Sequence, residues 1–298
     1  MHSCSCHHHT HTHETPTNRT IRLLSISFMI NMILTLLELG AGVVAGSMAL
    51  IGDALHNCSD AFSILIAVIA YKIGTKKATL KYTYGFRRAE TIGGFVNLIL
   101  LFVAGIYLVC EGIGKVIFPQ AIDGPVIVAV SVVALIIDVL TAKISHTHAH
   151  HNMNMKMLFV HNLADAFGSV GVIVSGLCIM YFGWTAVDGI VATLIGIYMI
   201  AQSVASFPKI TQVLMNSAPD DIDIAAIKRQ LKKISGIQNV HHIHVWYLNE
   251  RQIALDCHIV SCQSDILKQV NHVLKNDFGI HHTTIQIETS KCQTKCCV

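Results

Sequence analysis

His56-Asn57-Cys58-Ser59-Asp60-Ala61-Phe62 and His161-Asn162-Leu163-Ala164-Asp165-Ala166-Phe167 are two copies of one string, H-N-x-x-D-A-F, and each lies inside a long apolar stretch. At 3.6 residues per turn, a His and an Asp four apart share a helix face, so each copy directs one imidazole and one carboxylate the same way. Two facing copies make an N2O2 shell, which suits four-coordinate zinc. An aspartate at the centre of a membrane helix costs roughly 2.5–3.5 kcal/mol on insertion scales, so such residues mark function by default. Polar residues that merely pack helices together would account for one HxxxD better than for two near-identical copies.

The rest of the chain supplies the membrane. Of its 298 residues 52% are hydrophobic and only 13% charged, and the mean hydropathy is +0.54. A soluble globular protein is excluded, and several runs approach the ~20 residues that cross a bilayer. Apolar windows predict spans at about 23–45, 48–71, 90–112, 124–144, 156–181 and 187–207. Met1 to Thr20 has no apolar core of a secretory signal, so the first span is expected to act in targeting. Six spans put both termini on one side. Lys72, Lys76, Lys77, Lys81, Arg87 and Arg88 fall between the second and third spans, and Lys143 and Lys156 flank the loop before the fifth; the opposite loops hold only Lys115. The positive-inside rule therefore puts both termini in the cytosol, in a bacterial inner membrane or a eukaryotic organelle alike.

After about Met215 the charge density rises: nine of the 21 Lys plus Arg and eight of the 18 Asp plus Glu fall in the last 83 residues. Apolar spacing predicts a helix over Ile222–Ile234 stopped by Gly236, strands over Val240–Leu248 and Ile253–Val260 joined at Asn249-Glu250-Arg251, a helix over Ile266–Leu274 and a last strand over Thr283–Glu288. The order αββαβ implies a small two-layer α+β domain.

Over essentially its whole length the chain resembles the cation diffusion facilitator family, in particular its zinc-transporting branch. The two HxxxD motifs match those on the family's second and fifth membrane helices. Tyr84-Gly85-Phe86-Arg87-Arg88-Ala89-Glu90 matches the string that enters the third, with Arg88 and Glu90 in the matching places. Gly46-Ser47-Met48-Ala49-Leu50 with Asp53, His244-Val245-Trp246 and Thr284-Ile285-Gln286-Ile287-Glu288 match further segments. The resemblance implies a homodimeric, proton-coupled efflux transporter. Its fold would be an α-helical polytopic membrane protein of six transmembrane helices followed by a cytosolic α+β, ferredoxin-like domain. The domain layout expected is a His/Cys-rich tail at 1–20, a transport domain at 21–212 with a His-rich loop at 145–153, and a metal-binding, dimerising domain at 213–298. The resemblance also implies a second, cytosolic zinc site at His244, His258, His281 and Glu288, with Cys292 and Cys296 as further candidates beside Cys297. Those cysteines follow C-x3-C-C rather than C-x2-C, and the histidines have a plain alternative as surface residues.

His2, His7, His8, His9, His11 and His13 with Cys4 and Cys6 form an N-terminal tract, and His146, His148, His150 and His151 lie in the loop before the fifth span. His-rich tracts hold divalent ions weakly and would concentrate zinc at the entrance; the bland reading of the first is a tail without a role. The ten cysteines fall mostly in spans or on the cytosolic side, which argues against a disulfide framework. Asp53 shares the motif face, nearer the external end, as a vestibule ligand or an acceptor for an imidazole N–H. Asn57 and Asn162 sit about 100° round the helix and are expected to pack helices; Glu38, Asn97, Asp138 and Asp188 are read as helix glue or proton-path candidates.

Two carboxylates with two neutral imidazoles cancel the charge of Zn2+ in low dielectric, and release leaves bare carboxylates that protons neutralise. Exchange of Zn2+ for H+ by alternating access around a midplane site follows. Cd2+ and Co2+ accept the same ligands, whereas Mn2+ prefers oxygen-rich sites. A membrane metalloenzyme would need a general base or nucleophile, and none accompanies the site. A metal sensor without transport is the other alternative, separable by flux measurements. The expected partners are divalent ions, protons, the bilayer and a second copy of the chain, with no nucleic acid.

Overall fold

A computed structural model describes residues 18–149, 153–249, 252–263 and 265–289. His7, His8, His9, His150, His151, Cys292 and Cys296 lie outside the described residues, and the side chains of His146 and His148 are not described either.

Six long helices lead the chain: α1 (Asn18–Ala45), α2 (Met48–Gly74), α3 (Ala89–Ile117), α4 (Gly124–Ala149), α5 (Met153–Phe182) and α6 (Ala186–Leu214). Each runs past the apolar window that predicted it, because intrahelical hydrogen bonds continue where the side chains turn polar. Among the described residues, α2 to α6 contain segments long and apolar enough to cross a membrane; the apolar described part of α1, Asn31–Ala45, is shorter. Large apolar side chains such as Val44, Phe167 and Tyr181 point outward, while Ala49, Ala54, Ala61, Ser131, Ser169 and Ala192 are buried. Leu50, Leu108, Ile127 and Met199 are buried as well, and apolar side chains on the outer faces with small residues between the helices fit packing in lipid, where small residues permit close approach.

The chain divides into two compact units. The first holds the described residues up to Leu65 with Ala104–Ile197; the second holds Ile66–Val103 with the described residues from Tyr198 onward. The cut passes through α2, α3 and α6. In the first unit, α4 and α5 form an antiparallel pair, with Gly176 under Ile127 and Val128. Gly112 of α3 meets α6 so closely that a Cβ there would lie 2.7 Å from the Gly189 carbonyl and 2.5 Å from the Thr193 hydroxyl. Gly112→Ala is therefore expected to lower stability by about 1–3 kcal/mol, read as a reduced Tm in detergent. An unchanged Tm would mean that α3 and α6 part without cost.

Asp188 of α6 holds the start of α2. Its carboxylate accepts from Ser47 Oγ at 2.5 Å, Met48 N at 2.7 Å and Ala49 N at 3.4 Å, so a buried anion sits on a positive helix end with the first amides satisfied. Lys115 donates to the Gly46 carbonyl beside it.

The second unit contains α7 (Ile224–Leu231), β1 (Ile237–Asn249), β2 (Gln252–Ser261), α8 (Ile266–Phe278) and β3 (His282–Glu288). The sheet order is β1-β2-β3, with β1 and β2 antiparallel and β2 and β3 parallel, the parallel link being made through α8. Helix α7 is shorter than its apolar spacing suggested. Asp223 caps it by accepting from Ala225 N at 2.8 Å, and at the other end Lys233 N and Ile234 N reach back to Gln230 and Leu231 in tighter turns. Backbone N–H groups, that of Ala226 first, hold the Asp223 carboxyl below its usual range. The core joins Ile227 and Leu231 to Val240, Val245, Leu255, Cys257, Ile259, Val270 and Leu274. Burial, with Asp256 adding to it, pushes the Cys257 thiol up to about 12, so it packs as a small hydrophobe rather than a metal ligand.

Candidate metal centre

The two motif copies meet. On α2, His56 Nε2 lies 3.6 Å from Asp60 Oδ2; on α5, His161 Nε2 lies 3.5 Å from Asp165 Oδ2. Across the helices, His56 Nε2 is 3.2 Å from Asp165 Oδ1 and His161 Nε2 is 3.1 Å from Asp60 Oδ2. One ligand atom from each residue falls within 4.8 Å of every other. Zinc bonds of about 2.0–2.1 Å at tetrahedral angles separate neighbouring ligand atoms by about 3.3–3.4 Å. The four contacts lie near that edge length, those to Asp165 through its two different oxygens, and the remaining separations stay within 4.8 Å, so the four residues can close on one ion.

The halves of the shell differ in access. The side chains of His56 and Asp165 are 6% and 10% exposed, those of Asp60 and His161 25% and 30%. Asp60 and His161 lie one turn toward the end of α2 and the start of α5, so the centre opens in that direction. On the other side, Ser169 Oγ is 3.0 Å from Asp138 Oδ2 and 3.5 Å from Asp53 Oδ2, all three residues being buried. A hydroxyl has one proton to donate, and the shorter contact assigns it to Asp138. Asp53 thus lies with Ser169 and Asp138 on the closed side. Asn57 donates to Glu38 of α1 at 3.0 Å, which makes it a helix-packing residue.

A second cluster lies on the tail sheet: His241, His258 and Glu288. His258 Nδ1 is 2.8 Å from Glu288 Oε1 and His241 Nε2 is 3.3 Å from Glu288 Oε2. The His241 contact lacks hydrogen-bond geometry, and both ring nitrogens of His241 and Glu288 Oε2 are enclosed without a hydrogen-bond partner. Donor atoms facing one another across a gap fit a cation better than a proton. This set differs from the expected one in placing His241 where His244 and His281 were expected. His244 and His281 are exposed and outside the cluster; the His244 ring lies 4.5 Å from that of His242 instead. A bulge is the cause. Between the pairs His241↔His258 and His244↔Asp256, β1 advances three residues while β2 advances two, and His242 takes up the extra residue at φ 52. His241 is thereby placed opposite His258. The His241-His242 doublet was visible in the sequence, but only the register tells which of the two faces His258.

Residues 24–215 match the family described as the cation efflux transmembrane domain, and residues 219–290 match the cation efflux protein, cytoplasmic domain. The chain is 31% identical to the zinc transporter ZitB of Escherichia coli K12, covering 95% of this chain and 92% of the relative. It is 30% identical to the cadmium, cobalt and zinc/H(+)-K(+) antiporter of Bacillus subtilis, covering 90% and 89%. It is also 30% identical to the metal cation efflux system protein CzcD of Cupriavidus metallidurans, covering 91% and 88%. The solved metal-bound C-terminal domain of the CzcD transporter from that bacterium is 28% identical, covers 22% of this chain and 99% of its own, and has a TM-score of 0.22.

Proposed function

The chain belongs to the cation efflux family, the cation diffusion facilitators, in its zinc-transporting branch, and from that premise we propose that it exports Zn2+ from the cytosol in exchange for protons. It is an integral, multi-pass membrane transporter, not an enzyme. In this reading His56, Asp60, His161 and Asp165 are the ligands of the transported ion. The observation that carries it is the convergence of two imidazoles and two carboxylates from α2 and α5, with His–Asp contacts of 3.1–3.6 Å and one ligand atom of each residue within 4.8 Å of the others. Cd2+ and Co2+, named for the Bacillus subtilis relative, accept the same nitrogen and oxygen donors.

Proton coupling follows from the atoms involved. Each imidazole must present a lone pair and each carboxylate a negative oxygen to hold the ion, and a proton on the same atom removes that capacity. The loaded shell is neutral, with Zn2+ against two carboxylates. The empty shell regains neutrality in low dielectric by taking up protons, so the carrier returns loaded with H+. The unequal exposure of the two halves supports a cytosol-facing state: Asp60 lies toward the end of α2 and His161 toward the start of α5, the helix ends that the positive-inside rule assigns to the cytosol with both termini. Alternating access then requires closure over Asp60 and His161 and opening past Asp53, Ser169 and Asp138.

For the tail, we read 213–298 as a cytosolic domain that dimerises the transporter and holds a regulatory zinc at His241, His258 and Glu288. The N-terminal and loop histidines serve as weak collectors. Proteoliposomes test the function. With an acidic lumen, Zn2+ uptake should run against its own gradient and collapse when a proton ionophore is added. Uptake indifferent to the ionophore would exclude proton exchange.

A further inference from the structure

No acidic residue occurs between Asp60 and Glu90, a stretch that carries Lys72, Lys76, Lys77, Lys81, Arg87 and Arg88. None of these six cations has a carboxylate within ion-pair distance among the described residues. Arg87 and Arg88 donate instead to neutral oxygens, Arg87 to Gln252 and Arg88 to Asn216 and the Tyr247 carbonyl. The loop between α2 and α3 folds around a cavity of about 580 Å³, lined among others by Thr75, Lys76, Lys77, Thr83, Arg87 and His282. Its backbone amides are partly used internally, Lys76 N to Ile73 O and Gly85 N to Tyr82 O, which leaves the side chains to recognise a ligand. Four nitrogen-bearing side chains and three hydroxyls, those of Thr75, Thr83 and Tyr84, around one cavity with no acid among them are the chemistry of a phosphate receptor.

The loop's apolar residues select the source of that phosphate. Leu80 is fully exposed, at 104% of its reference area, with Tyr82 at 47% and Tyr84 at 52% beside the lysines. Tyr84 lines the cavity and rests edge-on against His282, but a free anion gives no reason to hold Leu80 and Tyr82 in water, whereas the bilayer interface takes up an aliphatic tip, an aromatic ring and lysines together. The position agrees. The cavity begins at Gly74, where one candidate span ends, and the loop closes at Ala89, where the next begins, so it lies at headgroup depth. We propose that this loop binds an anionic phospholipid, its phosphate among Lys76, Lys77, Arg87 and His282 and its acyl side met by Leu80 and Tyr82. Contacts of this kind contribute about 1 kcal/mol per lysine near an anionic surface.

Native mass spectrometry of the detergent-purified, full-length protein titrated with phosphatidylglycerol or phosphatidylcholine tests the assignment without reference to transport. The wild type should retain phosphatidylglycerol in preference to phosphatidylcholine. The pair Lys76→Gln with Lys77→Gln should weaken that retention roughly thirtyfold, two lysines' worth on the scale above. Lys76→Arg with Lys77→Arg should preserve it, and Leu80→Ser, which leaves the phosphate seat intact, should weaken it severalfold. Millimolar inorganic phosphate should not displace the lipid. Equal retention of the two lipids, or retention unchanged in the glutamine pair, would overturn the proposal. Displacement by inorganic phosphate would overturn the lipid assignment by making the cavity a free-anion site.

Discussion

Zinc flux through Asp165→Ala, and through Asp60→Ala, is expected to fall at least about a hundredfold, with protein yield and Tm close to wild type. Asp165 lies within 3.5 Å of both imidazoles and its side chain is only 10% exposed. Its removal takes away one ligand and leaves the shell with one negative charge against an ion carrying two. Breaking a buried charge-compensated set by deleting one partner costs about 3–5 kcal/mol, which corresponds to more than a hundredfold. Asp60 faces both imidazoles in the same way, at 3.6 and 3.1 Å. Neither aspartate is used to hold a helix end as Asp188 is, so folding should survive either change. Initial-rate measurements in proteoliposomes decide the matter. Wild-type flux in either variant would remove that carboxylate from the ligand set.

The second large effect is expected in the tail. The full-length protein carrying His241→Ala and His258→Ala together should lose nearly all of the zinc-dependent stabilisation of its tail, followed by amide exchange in β1 and β2, while keeping part of its flux. His244→Ala should leave both almost unchanged. The contrast rests on placement: His258 touches Glu288 at 2.8 Å and His241 reaches it at 3.3 Å, whereas His244 is exposed. A ligand that binds the folded state alone stabilises by RT ln(1 + [L]/Kd), so loss of two of three donors should remove most of the effect. The sheet packs on an apolar core of its own, which is why the domain should remain folded. Equal losses from His244→Ala and His241→Ala would mean that the register separating them does not hold.

The four residues proposed to hold the transported ion could be paired from the sequence because each pair is local. A His and an Asp four apart share a helix face whatever the tertiary structure does, and the repeat at His161 supplied the second half. The spans were legible for a similar reason, since apolar length is set by the bilayer rather than by packing. Asp188 was not legible in its detail. It holds Ser47 and Met48 about 140 positions away, and nothing in its neighbours signals a carboxylate placed on another helix's first amides. The tail site was half legible. Alternation predicted the strands, but a single bulge at His242 reassigns which histidine opposes His258, and bulges leave little trace in a run of His, Val and Ile.

X-ray absorption at the zinc edge tests the central claim most directly. The full-length protein carrying His241→Ala and His258→Ala, loaded with one zinc per chain, isolates the membrane site from the tail. Four nitrogen or oxygen neighbours at about 2.0 Å, with outer-shell scattering from two imidazoles and no sulfur, are predicted for His56, Asp60, His161 and Asp165. A sulfur shell near ~2.3 Å, a six-coordinate oxygen shell, or a spectrum unchanged by adding Asp60→Ala would contradict it.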